Sequence, residues 1–329
     1  MTEPPSMAEA SSFPDWSRRA AVVDCGTNLF TMLIATCQST GWEEEIVLRR
    51  PVFIGQGGFR SRTILPDRFA RGMDALRVLH QAAENYDVDT VRILGTSALR
   101  DAQNGATFAK QVHRELGWEL EIIDGDAEAH LIHDGVAQTL GDATGPVLVM
   151  DIGGGSVEFI VSRKEGDAWK AVEWVSLDAG VGRLEEFGKP TDPIEQQGVD
   201  RYEAFLIETL APVRSLIQAH SPLALVGSSG SFDTFADLLN VEADAPLKEL
   251  GRDRLKALHQ ELINRSIEER LKMPGMSPAR ARLIPLSSML LQHVLKDLPP
   301  TARVMRSPHA LREGVMHGIW QHLCTEFGQ

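Results

Sequence analysis

Apolar and polar positions fall in blocks along the 329 residues, and two of the blocks echo each other. Ala20 to Ala35 (AAVVDCGTNLFTMLIA) and Val147 to Val161 (VLVMDIGGGSVEFIV) each read as an apolar strand ending in Asp, a turn of small residues and a second apolar strand. With Asp24 set on Asp151, Gly26 falls on Gly153, Thr27 on Gly154 and Asn28 on Gly155, at an offset of 127 residues. Repetition at that spacing points to duplicated domains rather than a solenoid. A third strand follows each copy, at Glu45 to Leu48 and at Trp169 to Ser176. Helical spacing of Phe69, Met73, Leu76 and Ala83 then predicts a helix after Pro66, followed by a strand at Val91 to Leu94 and a helix near Ala106 to Leu116. A strand at Leu120 to Ile123 and a helix from near Ala127 close the first half. In the second half the pattern predicts one long helix over Ile194 to Ala219, a strand at Leu223 to Val226 and a helix at Phe232 to Leu239. A helical insertion and two last helices follow, with a short strand at Arg303 to Arg306 between them. The order βββαβαβα implies an α/β fold of two mixed sheets flanked by helices. Residues 1–18 are expected to be a disordered tail, 19–142 one domain and 143–329 a second, with Gly141 to Gly145 as the junction.

Composition narrows the chemistry. Thirty-three basic against 46 acidic residues leave a net charge of −13, so no diffuse basic surface is present to bind DNA or RNA, and a polyanion must be held by a local site. Three cysteines, Cys25, Cys37 and Cys324, without a CxxC pair, fit a reducing compartment rather than a disulfide framework. No apolar run approaches the ~18 residues of a membrane span, and the acidic, proline-bearing start is unlike a secretion signal. The expectation is a cytoplasmic protein with no membrane partner.

The triple glycine in Asp151-Ile152-Gly153-Gly154-Gly155-Ser156-Val157-Glu158 lets backbone amides approach an anion and form a phosphate-binding nest. Asp151 ends its strand where a divalent cation shared with those phosphates would lie, and an oxygen-ligated ion such as Mg²⁺ is expected there. The echo at Asp24, Thr27 and Asn28 doubles the signal: two such hairpins facing across a cleft would hold a phosphate chain between them and the metal between Asp24 and Asp151. Gly95-Thr96-Ser97-Ala98-Leu99-Arg100 and Gly227-Ser228-Ser229-Gly230-Ser231 are strand-to-helix turns of the kind that bind anions, and Arg100 offers a bidentate clamp. Each turn alone is equally an ordinary N-cap. Glu128 lies in the first turn of a helix, where a carboxylate is often only dipole-favoured, and His130 and His133 lack a third ligand and receive no role. Arg49-Arg50, Arg60 with Arg62, and Arg280 with Arg282 are candidate grips for a polyanion but equally solvated surface, and stay outside the site.

Taken together, VVDCGTNLFTMLIA, ILGTSALRDAQNG, IIDGDAEAHLIHDGV, VMDIGGGSVEFIV, VSLDAGVGRLEEF, LVGSSGSFDTFADL, MPGMSPARARLI and ALREGVM resemble the exopolyphosphatase / guanosine pentaphosphate phosphohydrolase (Ppx/GppA) family in its short, two-domain form. The pieces are collinear from about Ala20 to Met316. The resemblance implies two actin-like (ribonuclease H-like) domains with a cleft between them. It implies a phosphohydrolase that releases terminal phosphate from inorganic polyphosphate by Mg²⁺-assisted attack of water. Glu128 would activate the water, Glu158 would assist, and Asp151 with Asp24 would bind Mg²⁺. Gly153, Gly154, Gly155, Ser156, Asn28, Thr96, Arg100 and Gly230 would hold phosphates, joined by Thr27, Gly227 and Ser229 from the motif reading. Four departures stand out: Leu29 replaces a customary hydroxyl, Ala127 the first of two glutamates, His130 an arginine, and Arg282 stands where an acid is common. The alternatives are a guanosine pentaphosphate 5′-phosphohydrolase, a weakly active or non-catalytic alarmone binder, and an ATP-dependent kinase of the superfamily. Polyphosphate or a guanosine polyphosphate is the expected partner, and a homodimer is compatible with everything read so far.

Overall fold

The computed structural model describes residues 16–241 and 247–327. The first half runs β1 (Ser17–Cys25), β2 (Leu29–Gln38), β3 (Gly41–Pro51), α1 (Pro66–Asn85), β4 (Thr90–Gly95), α2 (Ser97–Asp101), α3 (Gly105–Leu116), β5 (Leu120–Ile122) and α4 (Gly125–Leu140). The second continues with β6 (Val147–Ile152), β7 (Val157–Glu165), β8 (Ala168–Leu177), α5 (Val181–Gly188), α6 (Gln196–Thr209), α7 (Ala211–His220), β9 (Ala224–Ser228) and α8 (Ser229–Leu238). It ends with β10 (Lys248–Glu249), α9 (Arg252–Asn264), α10 (Ile267–Arg270), α11 (Ile284–Asp297), β11 (Arg303–Arg306) and α12 (Leu311–Phe327).

The repeat seen in the sequence is a repeat in space. One sheet has the order β3-β2-β1-β4-β5 and the other β10-β11-β9-β6-β7-β8, which from its far edge is the same order with one short strand added. In each, the first three strands are antiparallel and the next pairs in parallel with the first, as a helical crossover requires. Register makes the equivalence residue by residue: Asp24 lies opposite Thr31 and beside Leu94, while Asp151 lies opposite Glu158 and beside Ser228.

Three expectations need correction. The single helix over 194–219 is two, because Pro212, near the start of α7, has no N–H to donate and its ring crowds the carbonyl four residues back; the break falls at Leu210. The tail drawn over 1–18 is too long, since β1 already pairs at Ser17 with Gln38; residues 1–15 lie outside the described ones. α12, counted with the second domain, packs on α4, β1 and β2. Its Leu311, Val315, Met316, Ile319 and Leu323 are buried with Val22, Leu33, Ile132 and Val136 in a core that also holds Val149 and Ile160 of the other sheet. α4 and α12 cross glycine to glycine, and a Cβ on Gly314 would stand 2.9 Å from the Gly135 nitrogen. That contact brings the starts of both helices, with Glu128 and Arg312, to the junction of the two sheets. No helix among the described residues is long and apolar enough to cross a membrane.

Candidate active site

The turn after β6 is shaped from behind. Carbonyls of Gly153, Gly154 and Gly155 accept hydrogen bonds from Val181 (3.1 Å), Gly182 (2.7 Å) and Gly180 (3.2 Å), so the segment after β8 acts as a strap on the loop. In a trans peptide the N–H points opposite to the C=O. The amides of Gly154, Gly155 and Ser156 therefore point away from the strap, and no acceptor among the described residues takes them. The first-half turn sits against this loop: a Cβ on Gly154 would meet the Asn28 amide and Thr27 Cβ at 2.8 Å, and one on Gly155 would meet Thr27 Oγ1 at 2.8 Å. Only glycine lets the two hairpins approach so closely.

Between the halves lies a cavity of about 630 Å³. Asp24, Thr27, Asn28, Gly153, Gly154, Ser229 and Gly230 line it, all expected from the sequence. Burial pushes both Asp24 and Asp151 up to about 6. Ser228 donates to Asp151 at 2.8 Å and, with Ser229 and the charge of Arg312, opposes that rise. Among the described residues no group of three or more His, Cys, Asp or Glu side chains could hold a metal by itself. Asp24 on the cavity wall and the buried Asp151, near enough for their charges to act on each other, fit Mg²⁺, which takes one or two protein carboxylates and completes its shell with waters and substrate phosphates.

Behind Asp151 is a second acidic layer. Glu128 is 7% exposed at the start of α4, whose N-cap Asp124 accepts from the Ala127 amide at 2.8 Å, and Glu158 is 1% exposed on β7. Arg100 donates to Glu128 Oε2 at 2.8 Å and to the Ile123 carbonyl at 3.0 Å. Ser176 donates to Glu158 at 2.8 Å. Burial raises both: Glu128 to about 7 against the opposing pull of Arg100, and Glu158 well above the usual range, with Glu128 itself as the next cause. Near neutral pH such a pair keeps a proton on Glu158 and leaves Glu128, with its guanidinium partner, the one able to ionise.

Not every expected residue faces the cleft. Arg100, expected to clamp phosphate, is occupied by Glu128. Gly227, expected at phosphate, is buried in β9 with its Cβ direction filled by the Phe232 ring, so it serves packing. Thr96 is buried, and its carbonyl starts α2 by accepting from Leu99 and Arg100. The Ser156 side chain is buried and its carbonyl is taken by Gly153, so only its backbone amide is left to the row of free amides. His130 is exposed beside Trp174, and His133 is a core histidine 2.9 Å from Ser162 Oγ; neither enters the site. Conversely, Arg49 and Arg280, set aside as surface, line the cavity, as do Arg306 and Arg312, which the sequence reading passed over. Arg312 is half-buried, and Glu313, Asp24, Asp233 and Asp151 hold it charged against the cost of burial. Its signal lay in the ALREGVM piece; nothing local marks it as part of a site some 290 residues from Asp24.

Comparison with known proteins agrees with this architecture. A profile of the Ppx/GppA phosphatase family matches residues 48–322. A protein of Aliivibrio fischeri (strain MJ11) named guanosine-5′-triphosphate,3′-diphosphate pyrophosphatase is 29% identical over 307 residues, which cover 92% of this chain but 59% of that protein. The chain thus spans less than two thirds of the curated relatives it matches. An exopolyphosphatase from Cytophaga hutchinsonii superposes with a TM-score of 0.87 at 29% identity, covering 93% of this chain and 98% of the other. The Ppx/GppA family member of Aquifex aeolicus superposes at 0.74 with 24% identity over 94% and 99%, and shares the fold.

Proposed function

The chain belongs to the Ppx/GppA phosphatase family, and on that premise we propose that it is a phosphoanhydride hydrolase that releases the terminal phosphate of inorganic polyphosphate. The observation that carries the reading is the row of three unpartnered amides, at Gly154, Gly155 and Ser156, together with a buried Glu128 near enough to Asp24 and Asp151 to feel their charge. Phosphoryl transfer asks a protein chiefly for positioning and charge stabilisation. The loop amides, with Asn28 and Arg280, would bind non-bridging oxygens, and Glu128 would orient and deprotonate the attacking water. Glu158, protonated, would keep a second negative charge away from the incoming phosphate. Asp24 and Asp151 would hold Mg²⁺, which when bound neutralises charge developing on the phosphoryl oxygens. The arginines of the cavity offset its aspartates, which is how a chain of net charge −13 would admit a polyanion.

One observation favours guanosine pentaphosphate as a second substrate. A side cavity of about 220 Å³ shares Asn28 with the main one and is lined by Phe53, Phe59, Gln56 and Glu185, a set suited to a planar base with polar edges. Phosphate release from polyphosphate and from guanosine pentaphosphate, with Mg²⁺ or with a chelator, tests both. Turnover of polyphosphate that needs Mg²⁺ supports the first reading; turnover of the nucleotide alone replaces it with the second; absence of both refutes hydrolysis.

A further inference from the structure

Arg183 stands on α5 in the second half, and its one guanidinium touches three separate parts of the molecule. Nε donates to the Gly155 carbonyl at 2.7 Å. Nη2 pairs with the carboxylate of Asp101 on α2, in the first half, and lies 3.4 Å from Asp178. The carbon at the centre of the group sits 4.6 Å from the centroid of the Phe59 ring, also in the first half. Arg183 is largely buried, with 18% of its side chain exposed. It is not among the residues that line the 630 Å³ cavity or the 220 Å³ side cavity, and each contact named here is to the protein itself.

Each partner bears on the chemistry. The Gly155 carbonyl belongs to the peptide whose N–H is that of Ser156, so the bond from Nε, added to that from Gly180, fixes the direction of one amide of the nest. Asp101 directly follows Arg100, the partner of Glu128, and accepts from Ser97 Oγ at 3.3 Å. Phe59 belongs to the loop after β3, which a second bond ties to α5: the Gly57 amide donates to Glu186 at 2.5 Å. A planar fork can hold a carbonyl, a carboxylate and an aromatic face at once; an ammonium would have to choose among them.

We propose that Arg183 is a positioning residue that makes the amide nest depend on closure of the two halves: with Asp101 and Phe59 in reach its guanidinium is held over Gly155, and without them the loop loses that restraint. The proposal rests on the hydrolytic reading for its kinetic consequence but not for its structural one.

The test uses the whole chain and compares the parent with Arg183→Ala, Arg183→Lys, Asp101→Asn and the Arg183→Ala/Asp101→Asn double variant. Readouts are kcat and KM on polyphosphate, pyrophosphate binding by calorimetry, and melting temperature. Displacing reacting groups by about an ångström costs up to ~100-fold, so Arg183→Ala should lose about 10- to 100-fold in kcat/KM, with Arg183→Lys close to it. Millimolar guanidinium should restore part of kcat to Arg183→Ala and none to Arg183→Lys, which a mere loss of stability would not do. The double variant should be no slower than Arg183→Ala, because both changes break one unit. Folded Arg183→Ala within twofold of the parent, or single losses that multiply in the double variant, would overturn the proposal. If Arg183→Ala does not fold, Asp101→Asn decides: a fivefold loss at unchanged melting temperature supports the coupling and parental kinetics overturn it. If the parent turns over no phosphoanhydride, the hydrolytic reading falls and pyrophosphate decides instead. Weaker binding by Arg183→Ala then supports the coupling, and equal binding refutes it.

Discussion

The two hairpins occupy matching places in matching sheets and do different work. Each is followed by a third strand and then by a segment that ties its tip from behind. After β3, Val52 and Phe53 donate to the Asn28 carbonyl at 2.9 and 3.0 Å; after β8, three donors and Arg183 take three successive carbonyls. At the tips, Thr27 and Asn28 present side chains where Gly154 and Gly155 present bare amides. Beside the carboxylates the contrast repeats: Asp24 has Thr31 and Leu94 for neighbours, Asp151 has Glu158 and Ser228. The two halves share a frame and differ at the tips, one half offering side chains and the other free amides beside an acidic layer, and the proposed chemistry draws on that difference.

The deepest asymmetry lies in the proposed base, Glu128, which comes from α4 of the first half. A general base contributes roughly 10² to 10⁴-fold, so Glu128→Gln should cut kcat by about that factor while leaving substrate and Mg²⁺ affinity near parental. Because burial lifts Glu128 to about 7, parental kcat should fall as pH drops through that value, and the variant should lose this acidic limb. If binding falls together with kcat, Glu128 is a structural residue and Glu158 becomes the candidate base.

Next in size is the contrast between the tips. A Cβ at position 154 would press on Asn28 and Thr27 at 2.8 Å and force the hairpins apart, so Gly154→Ala should cost on the order of 100-fold in kcat/KM, as losing one anion-hole donor does. Its counterpart Thr27→Ala removes a hydroxyl without forcing any separation and should cost less than about tenfold. Equal losses would mean that the halves contribute alike.

The asymmetry itself was legible in the sequence because it is written in local patterns. Asp-x-Gly between two apolar strands announces each hairpin, and Gly153-Gly154-Gly155 against Thr27-Asn28 announces the difference. Glu128 was placed by resemblance, since a carboxylate in a helix first turn carries no local mark of catalysis. What stayed hidden depends on contacts that sequence spacing does not encode. Arg183, Arg280 and Arg312 look like any exposed arginine until the chain brings them to Gly155, Gly230 and Asp24. Arg100, by contrast, looked free and is paired. The break at Leu210 was legible and missed, because Pro212 two residues on already forbids one continuous helix.

Leu29 sharpens the comparison from the other side, since the offset that sets Asp24 on Asp151 sets Leu29 on Ser156. It lines the cavity at a place where the second hairpin has a hydroxyl. Leu29→Ser should raise kcat on polyphosphate by about tenfold, the effect of one hydrogen bond to a charged group of on the order of 1.5 kcal/mol. A folded variant that is no faster makes Leu29 a packing residue and the asymmetry there neutral.

The smallest effect concerns stability rather than rate. Asp24 and Asp151 are raised from 3.8 to about 6, Glu128 from 4.5 to about 7, and Glu158 further, in each case first by burial. The folded protein therefore holds more protons than the unfolded chain between about pH 4 and 7, and the stability these groups contribute is present below that window and lost as pH rises through it. One extra proton held across one pH unit is worth about 1.4 kcal/mol, which for a domain of this size is a few degrees of melting temperature. Without ligand, the melting temperature should be lower at pH 8 than at pH 5.5. Three of the four acids belong to or face the second hairpin's acidic layer, so Glu158→Gln should flatten the profile more than Asp24→Asn. A steeper loss of slope in Asp24→Asn would place the strained charge in the first half, and the division of labour between the hairpins would have to be redrawn.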